Sequence, residues 1–381
     1  MPNSSTVGAV GRLPPVIYVH FGHRIDPASY VWPVIRLTRT HGNVVVLLTS
    51  RTVVVPSDVA ACLADREDID SLANTTMMRA LRRVYARSAK QAAAFLGQTR
   101  EPAERYNLER FFVMHEYMQR SGVKWAMLMD SDAALVSSAG DVLPWIEAHQ
   151  PACSSAVLGL NAALLTTDAA WSTWAGTSLL SIHVLQDFLT FALHLYDPLK
   201  MANVANASVA KAVPINARYW NDMLTWHLYV AVADDAVGKR VGLKAFESSM
   251  SVSLRGLRRA AHGSFHLCDL ASFGFNNNHV LFMDPTREDR HTRATDLLRP
   301  TTFSLYTPEL LADSARRFYW RGERMRSIHF WLQKNTVLEV VPPRTRLQSP
   351  TCALPPFENH TWTKVWAKAG ALLGIARARH L

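Results

Sequence analysis

A strand–helix–strand pattern in the first fifty residues constrains the fold more than any other feature. Residues 16–22 read Val-Ile-Tyr-Val-His-Phe-Gly, an apolar run that ends in a turn. Residues 27–41 carry apolar side chains at roughly helical spacing, and residues 44–48 form a second apolar run. Two strands joined by a helix over this distance pair in parallel. A nucleotide is expected at the carboxyl ends of such strands.

The rest of the chain continues the α/β pattern. The predicted strands are Thr52–Val55 and Trp125–Met129, with shorter ones near 264–283, 297–305 and 327–330. The predicted helices are Met77–Leu96, Tyr106–Arg120, Ala175–Tyr196 and Trp220–Val232, with another near 308–320. Together these elements predict a Rossmann-like central sheet, mixed but mostly parallel, that is flanked by helices.

The expected organisation is one large domain over residues 15–340. Residues 1–14 are expected to be a flexible leader, and residues 341–381 a Pro-rich segment followed by a basic helix. That helix fits a membrane surface or packing on the domain, and the sequence leaves both open.

An acidic triplet, Asp130-Ser131-Asp132, directly follows the predicted strand Trp125–Met129. Two carboxylates fixed by a strand end converge on one divalent cation, and Mg²⁺ or Mn²⁺ completes its shell with phosphate oxygens. The alternative is a solvated turn that happens to hold two acids. The position after a strand favours the metal site.

A second candidate is Ile328-His329-Phe330, followed by Lys334. A neutral imidazole at His329 supplies a third metal ligand, and the Lys334 ammonium suits a diphosphate. A single histidine is more often a structural residue, so this interpretation depends on the acidic triplet.

The charge and the cysteines set broad limits. The chain has 41 Lys and Arg against 31 Asp and Glu, which gives a formal charge of +10. This charge suits an anionic partner, although the many arginines are equally explained by a GC-rich genome. No nucleic-acid recognition motif is present. The cysteines are Cys62, Cys153, Cys268 and Cys352, and their spacing fits buried thiols or two disulfides.

Four segments resemble the nucleotide-diphospho-sugar transferases of the A-type fold. They are His20-Phe21-Gly22, Glu109-Arg110-Phe111-Phe112 leading into the acidic triplet, Gly159-Leu160-Asn161-Ala162, and Ile328-His329-Phe330 with Lys334. The resemblance implies a glycosyltransferase with a nucleotide-sugar donor, a divalent cation (Mn²⁺ or Mg²⁺) and a glycan, protein or small-molecule acceptor. Residues 15–340 would be its catalytic domain.

The resemblance also implies roles for individual residues. The metal ligands would be Asp130, Asp132 and His329. The donor would contact a set drawn from all four segments: His20, Phe21, Gly22, Arg110, Asp130, Ser131, Asn161 and Lys334.

Asp222, within Asn221-Asp222-Met223, resembles the acid near the reacting sugar carbon in these folds. An inverting enzyme needs a base there to take the acceptor proton, whereas a retaining enzyme needs a group on the opposite face of the sugar. The structural alternative is a helix N-terminal acid that the helix dipole favours.

Two other functions fit parts of the sequence. A haloacid-dehalogenase-like phosphohydrolase also has an apolar strand before DxD, with Asp130 as nucleophile and Asp132 as acid/base. Against it, a βαβ unit precedes the motif, and Ala134 stands where a small hydroxyl residue is usual. A non-catalytic carbohydrate-binding protein is the third possibility, and it predicts no tight metal or nucleotide binding.

The compartment is open at this stage. No signal-peptide pattern is present at residues 1–15, so a cytoplasmic or peripheral membrane location is the default expectation. A Golgi lumen is expected if an N-terminal anchor lies outside this sequence. Four N-x-S/T sites, at Asn3, Asn74, Asn206 and Asn359, matter only in a secretory lumen.

Overall fold

The computed structural model describes residues 13–26, 29–96, 103–149, 153–158, 174–196, 222–233 and 265–269, and near the C-terminus 310–312, 318–320, 323–324 and 326–329. Most of the predicted leader and the whole segment 341–381 lie outside these residues. The domain boundaries therefore stay predictions.

The described residues contain twelve short strands. They are β1 Val16–His20, β2 Val45–Thr49, β3 Asp65–Asp68, β4 Trp125–Met129, β5 Ala133–Leu135, β6 Cys153–Leu158, β7 Trp174–Ser181, β8 His266–Asp269, β9 Leu310–Ala312, β10 Phe318–Trp320, β11 Glu323–Arg324 and β12 Ser327–His329.

The helices of the same segments are α1 Val31–Thr40, α2 Ser57–Ala60, α3 Ile69–Ala73, α4 Thr76–Leu96, α5 Ala103–Ser121, α6 Val142–His149, α7 Ile182–Leu195 and α8 Asp222–Ala233, with a 3₁₀ turn at Ala139–Asp141 before α6. None of these helices is both long and apolar enough to cross a bilayer.

Seven strands form the central sheet in the order β3-β2-β1-β4-β7-β6-β8. Strands β3, β2, β1 and β4 are parallel to one another, β7 is antiparallel to both β4 and β6, and β8 is parallel to β6. The predicted Rossmann-like sheet, mixed and mostly parallel, is confirmed.

Alternate residues of the central strands pack on opposite faces of the sheet. Ile17 of β1 belongs to the core formed with α4, α5, α7 and α8. Val16 and Tyr18 belong to the core formed with α1 and α6. A parallel strand covered on both faces must be apolar throughout, which explains the continuous apolar runs of β1 and β2.

The predicted helix Ala175–Tyr196 is wrong in its first third. Residues 174–181 form β7, and α7 begins at Ile182 after Ser181, whose hydroxyl accepts a hydrogen bond from the Val184 amide at 3.3 Å. Strand β7 lies between β4 and β6 and is buried over its described side chains. An apolar run buried on both faces has no period that separates strand from helix.

Two further assignments are wrong. Residues 52–55 form no strand, and the Val54 side chain is 80% exposed. The third parallel strand is instead the charged segment Asp65–Asp68. It tolerates charges because, within the described residues, it lies at the sheet edge and β2 is its one strand partner. Near 308–320, the described residues form the antiparallel strands β9 and β10 and not a helix.

A disulfide joins Cys153 of β6 to Cys268 of β8, with the two Cα atoms 5.9 Å apart. Both side chains are buried, and Cys62 is disulfide-bonded as well. The sequence left buried thiols and disulfides open as alternatives. The described cysteines form disulfides.

The buried Asn43 side chain joins α1 to the segment that follows β5. Its Nδ2 donates to the carbonyls of Thr38 and Ser137, at 2.9 and 2.8 Å, and its Oδ1 accepts from the Ala139 amide at 2.7 Å. One amide side chain therefore satisfies three buried backbone groups.

We expect Asn43→Ala to lower the free energy of unfolding by about 2–4 kcal/mol, because it removes the partner of the Ala139 amide and of the Ser137 carbonyl, whereas the Thr38 carbonyl keeps the bond from the His41 amide. Urea unfolding followed by circular dichroism measures this loss. Asn74→Ala, at an exposed asparagine, is the matched control and should change the value by less than about 0.5 kcal/mol. Equal losses in both variants would contradict the role assigned to Asn43.

Candidate functional site

The site lies where β1 and β4 end. The two strands are parallel neighbours, with Tyr18 opposite Met129, so His20 and Asp130 leave the sheet at the same edge. The chain then turns tightly, because the Ala133 amide donates to the Asp130 carbonyl at 2.9 Å. Ser131 and Asp132 occupy this turn. The structure thus places the acidic triplet at the carboxyl edge, as the sequence predicts.

Arg110 of α5 connects this turn to α8. Its guanidinium forms ion pairs with Asp130 and with Asp222, the latter at 2.5 Å. The Arg110 and Asp222 side chains are only 13% and 4% exposed, so the contact is shielded from water. Three predicted site residues, distant in sequence, meet at one guanidinium.

The Asp130 and Asp222 carboxylates keep the Arg110 guanidinium protonated. Burial lowers the pKa of the guanidinium, but Asp130 and then Asp222 more than offset this effect, so the pKa lies above its ordinary value. Arg110 is therefore a fixed positive charge. Its Nε is buried and has no acceptor in the described part of the chain.

Asp132 is buried, and β5 begins immediately after it. Strand β5 pairs antiparallel with β12, and His329 is the register partner of Ala133. Residues directly opposite in such a pair have Cα atoms about 4.5–5.5 Å apart. The backbone of His329 thus lies beside the acidic triplet, although 197 positions separate His329 from Asp132.

The donor set of Asp130, Asp132 and His329 suits Mn²⁺ or Mg²⁺ in chemical type. Among the described side chains, no cluster of three or more His, Cys, Asp or Glu has the geometry of a metal site. One Asp130 oxygen is already bound by Arg110. The metal role of these three residues therefore stays a prediction.

The segment after β1 contributes an aromatic surface. Phe21 stacks on Tyr106 of α5, with ring centroids 5.1 Å apart and an interplanar angle of 16°. His20 Nε2 lies 3.4 Å from the Arg24 carbonyl, and burial lowers the pKa of this imidazole. A Cβ on Gly22 would lie 2.4 Å from His20 Nε2, so glycine gives the ring its space.

Tyr106 is a site residue that motif reasoning did not single out. It lies one helical turn before Arg110, on the same face of α5, and 37% of its side chain is exposed. The sequence feature that could have identified Tyr106 is its i, i+4 spacing from Arg110, which places both residues on one helix face.

Glu109 fixes the position of α5. Its carboxylate is fully buried and accepts two hydrogen bonds from Arg82 of α4, at 2.9 and 2.8 Å, and it also pairs with Arg105 at 3.1 Å. Hydrogen bonding to Glu109 raises the pKa of Arg82 against the opposing effect of burial. Arg82 thus anchors α5 to α4, whereas the Arg105 pair lies within α5 itself.

An aromatic cluster fixes α8, and with it Asp222. Trp226 stacks on Phe188 of α7 with centroids 3.9 Å apart, and it meets the edge of Phe111 at 5.5 Å. Tyr229 completes the cluster and donates a hydrogen bond to Asp187 at 3.1 Å. Because Phe111 follows Arg110 and Trp226 lies one turn after Asp222, this packing sets the Arg110–Asp222 distance.

A polar cavity of about 280 Å³ opens at the same edge of the sheet. Thr49, Arg51, Arg66, Glu67 and Asp68 line it, at the carboxyl ends of β2 and β3. In the sheet order, β2 and β3 lie on the side of β1 away from β4. No sequence motif predicted this cavity. Two predicted donor contacts, Asn161 and Lys334, lie outside the described residues.

No protein-family model matches the sequence, and no curated protein matches it. Among solved structures, the chain is similar to apo mouse xyloside xylosyltransferase 1, with a TM-score of 0.38 and 9% identity over 74% of this chain and 91% of that one. It is also similar to the PaToxG glycosyltransferase, with a TM-score of 0.29 and 8% identity over 66% of this chain and 83% of that one. Likeness at this level is no basis for function, which has to be argued from the site.

Proposed function

We propose that the protein is a metal-dependent glycosyltransferase that moves a sugar from a nucleotide-diphosphate sugar to an acceptor hydroxyl. The observation that carries the proposal is Arg110, a buried guanidinium held between Asp130 and Asp222 at the carboxyl ends of the parallel strands β1 and β4. This edge is where α/β sheets bind nucleotides.

The donor diphosphate would lie against the turn that holds the acidic triplet. Sugar transfer leaves negative charge on the departing nucleoside diphosphate, and fixed positive groups stabilise that charge. Arg110 supplies one such group, because its guanidinium stays charged between Asp130 and Asp222. A divalent cation supplies the second, since it neutralises charge on the diphosphate when bound.

Asp132 and His329 would hold the cation, with Asp130 as a further ligand, directly or through water. The register of β5 and β12 supports this assignment because it sets His329 beside the triplet. Lys334 follows His329 by five positions and would meet the diphosphate, while Asn161 would line the sugar pocket.

Asp222 would act at the reacting sugar carbon. It begins α8, its carboxylate is buried, and Arg110 joins it to Asp130. In an inverting reaction it takes the acceptor proton, and in a retaining reaction it stabilises positive charge on the opposite face of the sugar. The anomeric configuration of the product, read by NMR, distinguishes the two schemes.

The nucleoside would lie on the β1–β3 side of the triplet. The stacked pair of Phe21 and Tyr106 presents an aromatic surface there, and the cavity at the ends of β2 and β3 provides polar groups. His20 and Gly22, on either side of Phe21 in the chain, and Ser131 of the acidic triplet would complete the donor contacts.

Arg110→Met should lower the free energy of unfolding by about 3–5 kcal/mol, because it removes the positive charge that pairs with the buried Asp222 carboxylate. Adding Asp222→Asn should recover most of this loss while transfer activity stays at least about 100-fold low. Thermal unfolding and donor turnover measure the two effects.

Arg83→Met is the matched control, since Arg83 is exposed on α4. Arg110→Lys keeps the charge but replaces two separate nitrogens, one for each carboxylate, by a single ammonium, so it should retain stability better than activity. A double variant as unstable as Arg110→Met alone would contradict the ion-pair model.

Incubation with Mn²⁺ and a panel of sugar nucleotides should release nucleoside diphosphate. Chelation with EDTA should abolish this activity, and added Mn²⁺ should restore it. Asp132→Asn should lower turnover by about 100-fold or more and weaken Mn²⁺ binding, because loss of even an outer-shell partner of a metal costs about 10–100-fold.

Glu147→Gln, which neutralises an exposed carboxylate on α6, is the control for Asp132→Asn and should leave both properties unchanged. Full activity in Asp132→Asn would remove the metal role. Hydrolysis of a phosphate ester without donor turnover would instead support the phosphohydrolase, and the absence of metal and donor binding would support a non-catalytic protein.

A further inference from the structure

Asn74-Thr75-Thr76 is an N-x-T acceptor sequence that the fold presents at the surface. Asn74 directly follows α3 as its C-cap residue, just before α4 begins at Thr76, and its side chain is exposed. Of the four such sequences in the chain, this is the one whose asparagine lies within the described residues. An exposed connection between two helices is the kind of position that tolerates a bulky modification.

The disulfide-bonded cysteines indicate the type of compartment in which Asn74 would be glycosylated. Cys153 and Cys268 are buried and joined across two neighbouring strands of the central sheet, and Cys62 is also bonded. Structural disulfides form and persist in oxidising environments such as the lumen of the secretory pathway. That lumen is also where N-x-S/T sequences become glycosylated.

We propose that Asn74 is an N-glycosylation site and that the protein matures in a secretory lumen. The oligosaccharide comes from a polyprenyl-diphosphate carrier. A bond forms between Asn74 Nδ2 and C1 of the first sugar, the C1–O bond to the carrier diphosphate breaks, and the amide loses one proton. This inference does not rest on the proposed transferase activity.

The contacts of Asn74 are compatible with an attached glycan. Its Oδ1 accepts a hydrogen bond from Arg79 Nη1 at 3.0 Å, so this bond does not use Nδ2, which would carry the sugar. Arg79 and Thr76 are exposed, and Asn74 itself is absent from the buried core. A glycan here would extend into solvent.

A glycan at Asn74 would also leave the candidate site open. Arg120, near the end of α5, donates to Ser71 of α3 at 3.1 Å, whereas Arg82 of α4 meets Glu109 near the start of α5. The α3–α4 connection therefore lies toward the far end of α5. Arg120 is ten positions from Arg110, which corresponds to about 15 Å along the helix axis.

The test is glycopeptide mapping of the protein isolated from its native cells. We expect an Asn74 peptide in which a peptide-N-glycosidase, which hydrolyses the amide bond to the glycan, converts Asn74 to Asp in ¹⁸O water, in protein whose cysteines react with a thiol reagent only after reduction. An unmodified Asn74 peptide, with or without free thiols, would overturn the proposal.

Variants assign the modification to this residue. In the full chain directed into the endoplasmic reticulum of a eukaryotic host, Asn74→Gln and Thr76→Ala should each remove one glycan from the gel-mobility pattern. Thr76→Ser preserves the acceptor sequence and should retain that glycan. Identical glycan numbers in all three variants would contradict the assignment, whereas transferase activity should be equal in all of them.

Discussion

The arrangement of the site depends on one buried guanidinium. Arg110 lies between Asp130, which follows β4, and Asp222, which begins α8, and water is largely excluded from the contact. Charges removed from water are stable only when they are paired, so the three segments are held in one arrangement. The neighbouring residues reinforce it, because Glu109 anchors α5 to α4 and Phe111 packs against Trp226 of α8.

The sheet changes direction at the strand that carries the acidic triplet. Strand β4 is parallel to β1 on one side and antiparallel to β7 on the other, and the Asp130 amide donates to the Gly176 carbonyl of β7 at 2.7 Å. Directly after the triplet, β5 takes β12 as its partner. Segments from both halves of the chain thus meet at this turn, while the Cys153–Cys268 disulfide joins two strands farther along the sheet.

Each element that the sequence pattern assigned wrongly has its own physical cause. Residues 174–181 are apolar because the strand is buried on both faces, and such a run carries no period that excludes a helix. Asp65–Asp68 was missed for the opposite reason, since an edge strand that pairs on one side tolerates charges that a central strand does not. Elements with a clear period or a clear end, such as β1, β4 and α5, were predicted to within a few residues.

The sequence by itself determined the α/β class, the strand that ends in Asp130-Ser131-Asp132 and the chemical types gathered around it. Each of these follows from local pattern, because apolar periodicity and carboxylate spacing are properties of short segments. Only the tertiary structure decided that Arg110 bridges Asp130 and Asp222, that Tyr106 stacks on Phe21, and that His329 lies beside Ala133. These contacts join segments up to 196 positions apart, and they arise from packing and strand register, which no single segment specifies.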